Sequence, residues 1–235
     1  MQKSVLIASF SIWLNGERTP INGMIEPLTT FFSDRKWTVD LIDGMHPGSS
    51  DVVTHFNEKT SFVSILLRPP LLLLNKNRTQ ILFKIRDFLC VFEWVLRFRR
   101  SADLFIGLES VYTTAGILLR RLGVVGTVVY YVSDFAPKRF GDTWFNNVYL
   151  LLDRFCAYYA DYIWDVSKAF HPARIAAGVN SKRSAPVIIV PNALFSNQIC
   201  PAPTSRRQAH ALVFAGTLNV INGPDLAVEA LSIVK

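Results

Sequence analysis

The residues best placed for chemistry lie in one polar loop, residues 133–140, which follows an apolar run. Asp134 comes directly after that run, and Lys138 and Arg139 lie a few residues further on. A carboxylate in this position can hold a substrate hydroxyl group or take part in proton transfer. The same side chain can instead cap the next turn through backbone N–H groups. The loop is therefore a candidate site, and both interpretations of Asp134 remain open.

A second candidate loop follows the first apolar run of the chain and contains Gly16 and Gly23. A glycine at the start of a helix lets a phosphate or a sugar approach the backbone N–H groups closely. As a phosphate signal the loop is weak, because the sequence contains neither G-x-G-x-x-G nor the Walker pattern. By itself the loop predicts a turn as readily as a binding site.

Seven short apolar runs position these loops, and helical patterns separate most of them. Strands that alternate with helices indicate βαβ crossovers and a parallel sheet covered on both faces. The predicted fold class is therefore α/β, with a Rossmann-like doubly wound parallel sheet. The predicted strands are 5–10, 37–42, 61–67, 104–107, 127–132, 162–166 and 187–190, and the predicted helices are 21–35, 78–100, 110–122, 143–160 and 168–177.

In an open parallel sheet, ligands bind outside the carboxyl ends of the strands. We therefore expect the residues that directly follow each predicted strand to share one edge of the sheet. This rule nominates residues 15–24, Glu109 and Ser110, residues 133–140, Ser167 and Asn192. Asp153, in contrast, is predicted to lie on a helix surface.

The end of the chain predicts a second domain. The last predicted strand, in the segment PVIIVPNALF, is followed by a basic, proline-rich stretch with no apolar period, which is typical of a linker. A strand–turn–helix pattern then begins. The predicted organisation is one Rossmann-like domain over 1–199, a linker over 200–210 and an incomplete second domain over 211–235.

The composition restricts the function classes. The chain of 235 residues carries a net charge of +7, and residues 68–100 hold eight basic side chains against two acidic ones. No RNP-type or zinc-finger motif accompanies this basic segment, so no nucleic-acid partner is expected. The three cysteines and four histidines are widely spaced. They argue against a disulfide framework or a metal site, so the expected compartment is a reducing cytosol and no metal cofactor is expected.

The basic segment contains an amphipathic helix at 81–100. One interpretation is a helix that packs on the sheet with its polar side in solvent. The other is a helix at the inner surface of a membrane, where arginines meet anionic headgroups. The expected location is therefore cytoplasmic, either free or peripheral on the membrane. The polar stripe comprises Arg86, Cys90, Glu93, Arg97 and Arg100, and the apolar stripe comprises Ile81, Ile85, Phe88, Phe92 and Val95.

Several segments in this order resemble the nucleotide-sugar glycosyltransferases of family 4, which have two Rossmann-like domains in the GT-B arrangement. The resemblance spans nearly the whole chain. The segments are PINGMIEPL, ADLFIGLESVYTTAGILLRRLG, VVYYVSDFAPKRF, LDRFCAYYADYIWDVSKAF, VIIVPNA and LVFAGTLNVINGPDLAVEAL.

The resemblance implies transfer of a sugar from a nucleotide-sugar donor to a glycan, lipid-linked or small-molecule acceptor, with retention at the anomeric carbon. The amino-terminal domain would bind the acceptor, and the second domain would bind the donor without a metal. The catalytic pair would be Ser133 and Asp134. Acceptor contacts would come from Asn22, Gly23, Met24, Glu109, Lys138 and Arg139, and donor contacts from Asn192, Gly216, Thr217 and Asn222.

The chain also departs from the family pattern. Ser133 replaces a common histidine, and Thr217 and Asn222 stand where the family usually has arginine and lysine. Hydroxyl and amide groups cannot neutralise a diphosphate leaving group as those cations do. The chain also ends before the two-glutamate motif of the family, so we expect the chain alone to be inactive.

The alternative is a non-catalytic, membrane-associated subunit that binds the acceptor and pairs with a separate donor-domain subunit. A sugar-nucleotide epimerase would share the architecture, but the segments above are closer to the glycosyltransferase pattern. A dinucleotide-dependent oxidoreductase is disfavoured because the glycine fingerprint is missing.

Overall fold

The computed structural model describes residues 2–15, 17–21, 23–46, 55–56, 76–192, 203, 211, 213–214 and 223–233. The chain divides into two compact units, Met1–Phe195 and Ser196–Lys235. The strands of the first unit are β1 Ser4–Leu14, β2 Glu17–Pro20, β3 Thr38–Met45, β4 His55–Phe56, β5 Ala102–Leu108, β6 Val125–Val132, β7 Tyr162–Asp165 and β8 Val187–Ile189. Its helices are α1 Ile25–Asp34, α2 Lys76–Phe98, α3 Ser110–Arg121, α4 Trp144–Tyr159 and α5 Phe170–Ala176. In the second unit, α6 is Pro224–Ile233. The predicted linker lies largely outside the described residues, and the domain division remains a prediction.

The strands of the first unit form one sheet in the order β4-β3-β1-β5-β6-β7-β8, and β2 pairs with the end of β1. Neighbouring strands from β3 to β8 run parallel. The predicted α/β class with a Rossmann-like parallel sheet is confirmed. Two short antiparallel strands, β2 and β4, were not predicted. The predicted strand 61–67 lies outside the described residues.

The order of the strands determines where the helices lie. From β1 the chain crosses to β3 on one side, and every later crossover moves the other way across the sheet. Because such crossovers are right-handed, α1 covers one face and α2 to α5 cover the opposite face. The two apolar cores follow this division, one around Ile25 and Phe32 of α1 and one around Trp94 of α2 and Ile117 of α3. The direction reverses between β1 and β5, which is the topological switch point of the sheet.

The interpretation in which α2 keeps its polar stripe in solvent holds for Arg97 and Arg100, which are exposed, and is wrong for the other three residues of the stripe. Arg86, Cys90 and Glu93 are buried, whereas Ile85 is 47% exposed and Leu96 is 75% exposed. Charges can face the interior here because they have partners: Arg97 donates to Glu93 at 2.8 Å on the same helix. None of the helices formed by the described residues combines the length and the apolar content that a membrane crossing requires.

Asp153 is also buried, contrary to the prediction of a helix-surface position. It belongs to a network that links α4, β6, β7 and α5. Arg174 donates to both carboxylate oxygens of Asp165 at 2.8 Å and to Asp153 at 3.2 Å. The Tyr130 hydroxyl donates to the same Asp153 oxygen at 2.7 Å. The partner of Asp153 comes from another helix, so the sequence period of α4 does not reveal the contact.

Candidate functional site

A cleft of about 570 Å³ lies in the first unit at the carboxyl ends of β1, β5 and β6. This position coincides with the switch point of the sheet, where ligands of open α/β folds bind. Its volume falls within the range of about 300–1,000 Å³ that is typical of small-molecule sites. The polar part of its lining comprises Lys84, Glu109, Ser110, Thr114, Ser133, Asp134, Arg139 and Asn192.

Glu109 has an unusual backbone conformation at the edge of this cleft. It joins the end of β5 to the start of α3 with φ +111° and ψ +159°, a region that glycine occupies almost exclusively. Such a conformation costs about 1–3 kcal/mol and persists only where the surrounding contacts impose it. Here the main contacts are hydrogen bonds from the backbone N–H and the hydroxyl of Thr113 to the Glu109 carbonyl, at 3.1 and 2.9 Å.

Gly107 allows this tight connection. A Cβ atom at Gly107 would lie 2.4 Å from the Thr113 Oγ1 and 2.7 Å from the Thr113 backbone nitrogen. The start of α3 can therefore approach the end of β5 only because this position carries no side chain. The close approach holds Glu109 at the cleft.

Lys84 of α2 is the ionic partner of Glu109, with 2.5 Å between Nζ and Oε2. Its ammonium group also lies 4.8 Å from the centroid of the Phe10 ring, at the end of β1. Burial lowers the pKa of Lys84, but the carboxylates of Glu109 and Asp87 outweigh that effect and raise it. Lys84 is therefore a charged cation in the cleft.

Sequence reasoning missed Lys84, although a signal was present. On a helical wheel, Lys84 lies beside Ile81, Ile85 and Phe88, on the apolar stripe of α2. A charge in that position needs a partner elsewhere in the fold, which the sequence does not identify.

Asp134 and Arg139 form the second ion pair of the cleft, at 3.3 Å. The Asp134 side chain is 66% exposed, so its carboxylate is accessible from solvent. The Arg139 guanidinium also lies 5.9 Å from the centroid of the Tyr149 ring. Burial lowers the pKa of Arg139, whereas Glu109 and Asp134 raise it above its usual value. The arginine thus lies in the field of both cleft carboxylates.

Asn192 reaches the cleft from the end of β8. The Tyr131 hydroxyl donates to its side-chain oxygen at 2.9 Å. Ser133, the first residue after β6, lines the same cleft. Burial raises the pKa of Tyr131, so its hydroxyl remains a hydrogen-bond donor. This bond fixes the Asn192 amide at the polar end of the cleft.

A buried carboxylate lies behind Lys84. Burial raises the pKa of Asp87 to about 6, although Lys84 and Arg86 oppose this effect. His46, at the end of β3, has a lowered pKa because burial and Lys84 disfavour its charged form. Its ring stacks on Phe10 with 5.9 Å between the centroids. The electrostatics of the cleft thus depend on groups from β1, β3 and α2.

The structure brings together several of the residues nominated from the sequence and separates others. Gly23, Glu109, Ser110, Ser133, Asp134, Arg139 and Asn192 line the cleft, whereas Ser167 does not. Met24 is buried in the core beside α1, and Lys138 points away from the cleft to pair with Asp142 at 3.1 Å. Asn22, Gly216, Thr217 and Asn222 lie outside the described residues, and the functional roles of all these residues remain predictions.

Most of the remaining lining is apolar. Helices α2 and α4 flank the start of α3 and contribute most of these side chains. This apolar wall comprises Phe10, Ile21, Ile81, Ile85, Phe88, Val111, Val132, Phe140, Phe145, Val148, Tyr149 and Leu152. Gly23, Tyr130 and Tyr131 complete the lining.

No protein-family model and no curated protein matches the sequence. Two solved structures of sucrose-phosphate synthase from Thermosynechococcus elongatus do resemble the fold. The first is 13% identical to this chain with a TM-score of 0.50, and the match covers 82% of this chain and 90% of the synthase chain. The second is 13% identical with a TM-score of 0.53, and the match covers 81% of this chain and 48% of the synthase chain.

The chain has a glycosyltransferase-like fold. In the second comparison it spans about half of the synthase chain. At this level of identity the likeness shows the fold and leaves membership of family 4, the substrates and the mechanism as expectations.

The polar side chains of the cleft favour binding of a ligand that carries hydroxyl groups. Two carboxylates, an amide and the hydroxyl groups of two serines and a threonine line the cleft together with a lysine and an arginine. No group of three or more histidine, cysteine, aspartate or glutamate side chains suited to a metal ion occurs within the described part of the chain. The arrangement can orient a polyhydroxylated ligand and place a carboxylate near one of its hydroxyl groups.

Proposed function

We propose that the chain contributes the acceptor side of a glycosyltransferase that uses a nucleotide-sugar donor. The main support is the position of the cleft: it opens at the switch point of a glycosyltransferase-like sheet, and the carboxylates of Glu109 and Asp134 line it. The ion pair with Lys84 holds Glu109 in place. Asp134 is the more exposed of the two carboxylates and is the candidate that meets the reacting hydroxyl group.

The proposed reaction exchanges one bond at the anomeric carbon of the donor. The acceptor oxygen forms a bond to that carbon, and the bond from the carbon to the phosphate oxygen breaks. The nucleoside diphosphate leaves with the electron pair, and the acceptor proton passes to a base. Asp134 accepts a hydrogen bond from the acceptor hydroxyl, with Ser133 beside it, and the outcome expected from the family resemblance is retention.

The donor side includes Asn192, which the Tyr131 hydroxyl holds at the cleft. By the family resemblance, Gly216, Thr217 and Asn222 are further candidates for contacts to the donor. Because Thr217 and Asn222 are uncharged, their dipoles alone would contact the diphosphate, which favours weak donor binding. The same observation supports the alternative function, in which the chain binds the acceptor and a separate subunit carries out the transfer.

A transfer assay separates the two functions. The purified chain is incubated with octyl β-D-glucoside and with UDP-, GDP- or ADP-linked labelled sugars, and the labelled product is quantified. Transfer that Asp134→Asn lowers by about 100-fold or more supports the catalytic function. The matched control is Asp142→Asn, which changes the same functional group in the same loop at a position outside the cleft. Binding of the glucoside without transfer from any donor supports the alternative.

A further inference from the structure

The cleft has two chemically different ends, and one of them is too apolar for a free sugar. Glu109 and Asp134 reach the cleft from the ends of β5 and β6, and Lys84 and Arg139 pair with them from α2 and from the loop before α4. The other lining side chains of α2, α4 and that loop are aliphatic or aromatic. A polyhydroxylated ligand alone would leave those side chains facing water. Because burial of apolar surface stabilises a complex by about 25 cal/mol per Å², an apolar group of the ligand is needed to use this wall.

We propose that the acceptor is an amphiphilic glycoside, with its neutral sugar at the polar end and its hydrocarbon or aromatic aglycone against α2 and α4. This inference rests on the proposed function, because it identifies the substrate class of the same cleft. It also accounts for the apolar side chains that remain partly exposed around the cleft mouth.

The mouth continues onto exposed apolar surface. Ile85 on α2 and Val148 on α4 line the cleft, and they are 47% and 39% exposed. Trp144 lies one helical turn before Val148 on α4 and is exposed as well. An aglycone longer than the cleft can therefore contact Trp144 beyond the mouth.

The charge balance of the polar end favours a neutral sugar over an anionic one. The ammonium of Lys84 already contacts Glu109, and the guanidinium of Arg139 already contacts Asp134. The formal charges of these four groups cancel, so a phosphate at this end would add a negative charge that no further cation of the cleft lining compensates. Sugar hydroxyl groups, in contrast, can donate to the carboxylates while both ion pairs stay intact.

Calorimetric titration of the full chain tests the inference without any transfer step. The ligands are methyl, hexyl and octyl β-D-glucoside, each below its micelle-forming concentration, and octyl phosphate. Each methylene that enters an apolar site contributes about 0.8 kcal/mol, or about a fourfold gain in affinity. Octyl glucoside should therefore bind about 15-fold more tightly than hexyl glucoside, and more tightly than octyl phosphate.

Two aspartate substitutions on α4 provide a matched pair. Val148→Asp places a charge on the apolar wall and should weaken octyl glucoside binding by about tenfold or more. Leu151→Asp makes the same change one helical turn away, at a residue that is 62% exposed and does not line the cleft, and should change affinity less than about twofold. Both positions are partly exposed, so circular dichroism and the Tm should show folded proteins.

The inference is overturned if affinity does not rise with chain length, if both α4 variants lose affinity equally, or if octyl phosphate binds as well as octyl glucoside. The proposed transfer can fail separately: chain-length-dependent binding without transfer from any donor leaves the inference intact. Conversely, equal transfer onto methyl and octyl glucoside, with equal KM, supports the proposed function and overturns the inference.

Discussion

Replacement of Arg174 by methionine should lower the free energy of unfolding by about 3–5 kcal/mol, because two buried carboxylates lose their cation. The Arg174 side chain is fully buried and donates to Asp165 at 2.8 Å and to Asp153 at 3.2 Å. Methionine fills much of the same space but offers no charge. Since 1 kcal/mol corresponds to about 2–4 °C for a chain of this size, the Tm should fall by roughly 6–20 °C.

The stability that Arg174→Met loses should depend on pH. Burial already raises the pKa values of Asp153 and Asp165, and Arg174 opposes that effect. Without Arg174 both values rise further, so the folded variant takes up a proton more readily than the unfolded chain as the pH falls. A raised carboxyl pKa gives stability that is present at low pH and lost as the pH rises. The difference between wild type and variant should therefore be larger at pH 8 than at pH 5.

Urea denaturation at the two pH values measures this difference. Arg154→Met is the comparison variant. Arg154 donates one hydrogen bond to the Ala177 carbonyl at 3.2 Å and acts on Asp153 only through its charge, so its loss should cost about 1 kcal/mol. Addition of Asp153→Asn and Asp165→Asn to Arg174→Met should restore part of the stability. If Arg174→Met costs no more than Arg154→Met, or costs the same at both pH values, the network does not stabilise the fold as argued.

Three further changes test the cleft and its surroundings. Glu109→Gly should leave the free energy of unfolding in urea unchanged or raise it, because relief of about 1–3 kcal/mol of backbone strain offsets the lost ion pair with Lys84. Octyl glucoside binding, measured by calorimetry, should weaken. A large loss of stability would contradict this reasoning. Asp87→Asn should flatten the decline in stability between about pH 4 and 6, because the stability from a carboxyl pKa raised from 3.8 to about 6 is lost as the pH rises through this interval. If the free energy of unfolding, measured with urea, depends on pH equally in wild type and variant, Asp87 does not contribute. Gly107→Ala should lower the Tm through a clash with Thr113 that costs about 1–3 kcal/mol, and an unchanged Tm would show that α3 can shift.

The sequence predicted the sheet because its strands are short apolar runs between helices. Strands such as β5 and β6 are covered on both faces, so their residues form continuous apolar segments that mark them clearly. The hairpin strand β2, with the sequence ERTP, carries no such pattern. Its position comes from antiparallel pairing with the end of β1, which the local composition does not encode.

The rule that ligands bind at strand ends found most of the polar lining of the cleft, although not Lys84, and missed most of the apolar lining. Glu109, Asp134 and Asn192 were nominated because each follows a predicted strand, and all three line the cleft. Val148 and Ile85 lie on helices, where apolar residues are ordinarily core positions. Only the packing of α2 and α4 around the start of α3 shows that these two side chains face a cleft.

The errors on α2 and α4 share one physical cause. A helical wheel separates charged from apolar residues, but it cannot show whether a charge has a partner in the interior. Arg86 and Asp153 are both buried, and Asp153 is neutralised by Arg174, which follows it by 21 residues. Lys84 was missed for the same reason, since its partner Glu109 lies 25 residues away.

The division of the cleft between strand ends and helices also affects how it can evolve. The residues that would meet the sugar lie in connections such as Glu109 and Asp134, and those that would meet the aglycone lie on turns of α2 and α4. Neither set forms the buried sheet that stabilises the fold. Mutations can therefore alter preference for the head group and tolerance of tail length independently, and libraries restricted to one set should change one property while preserving the other.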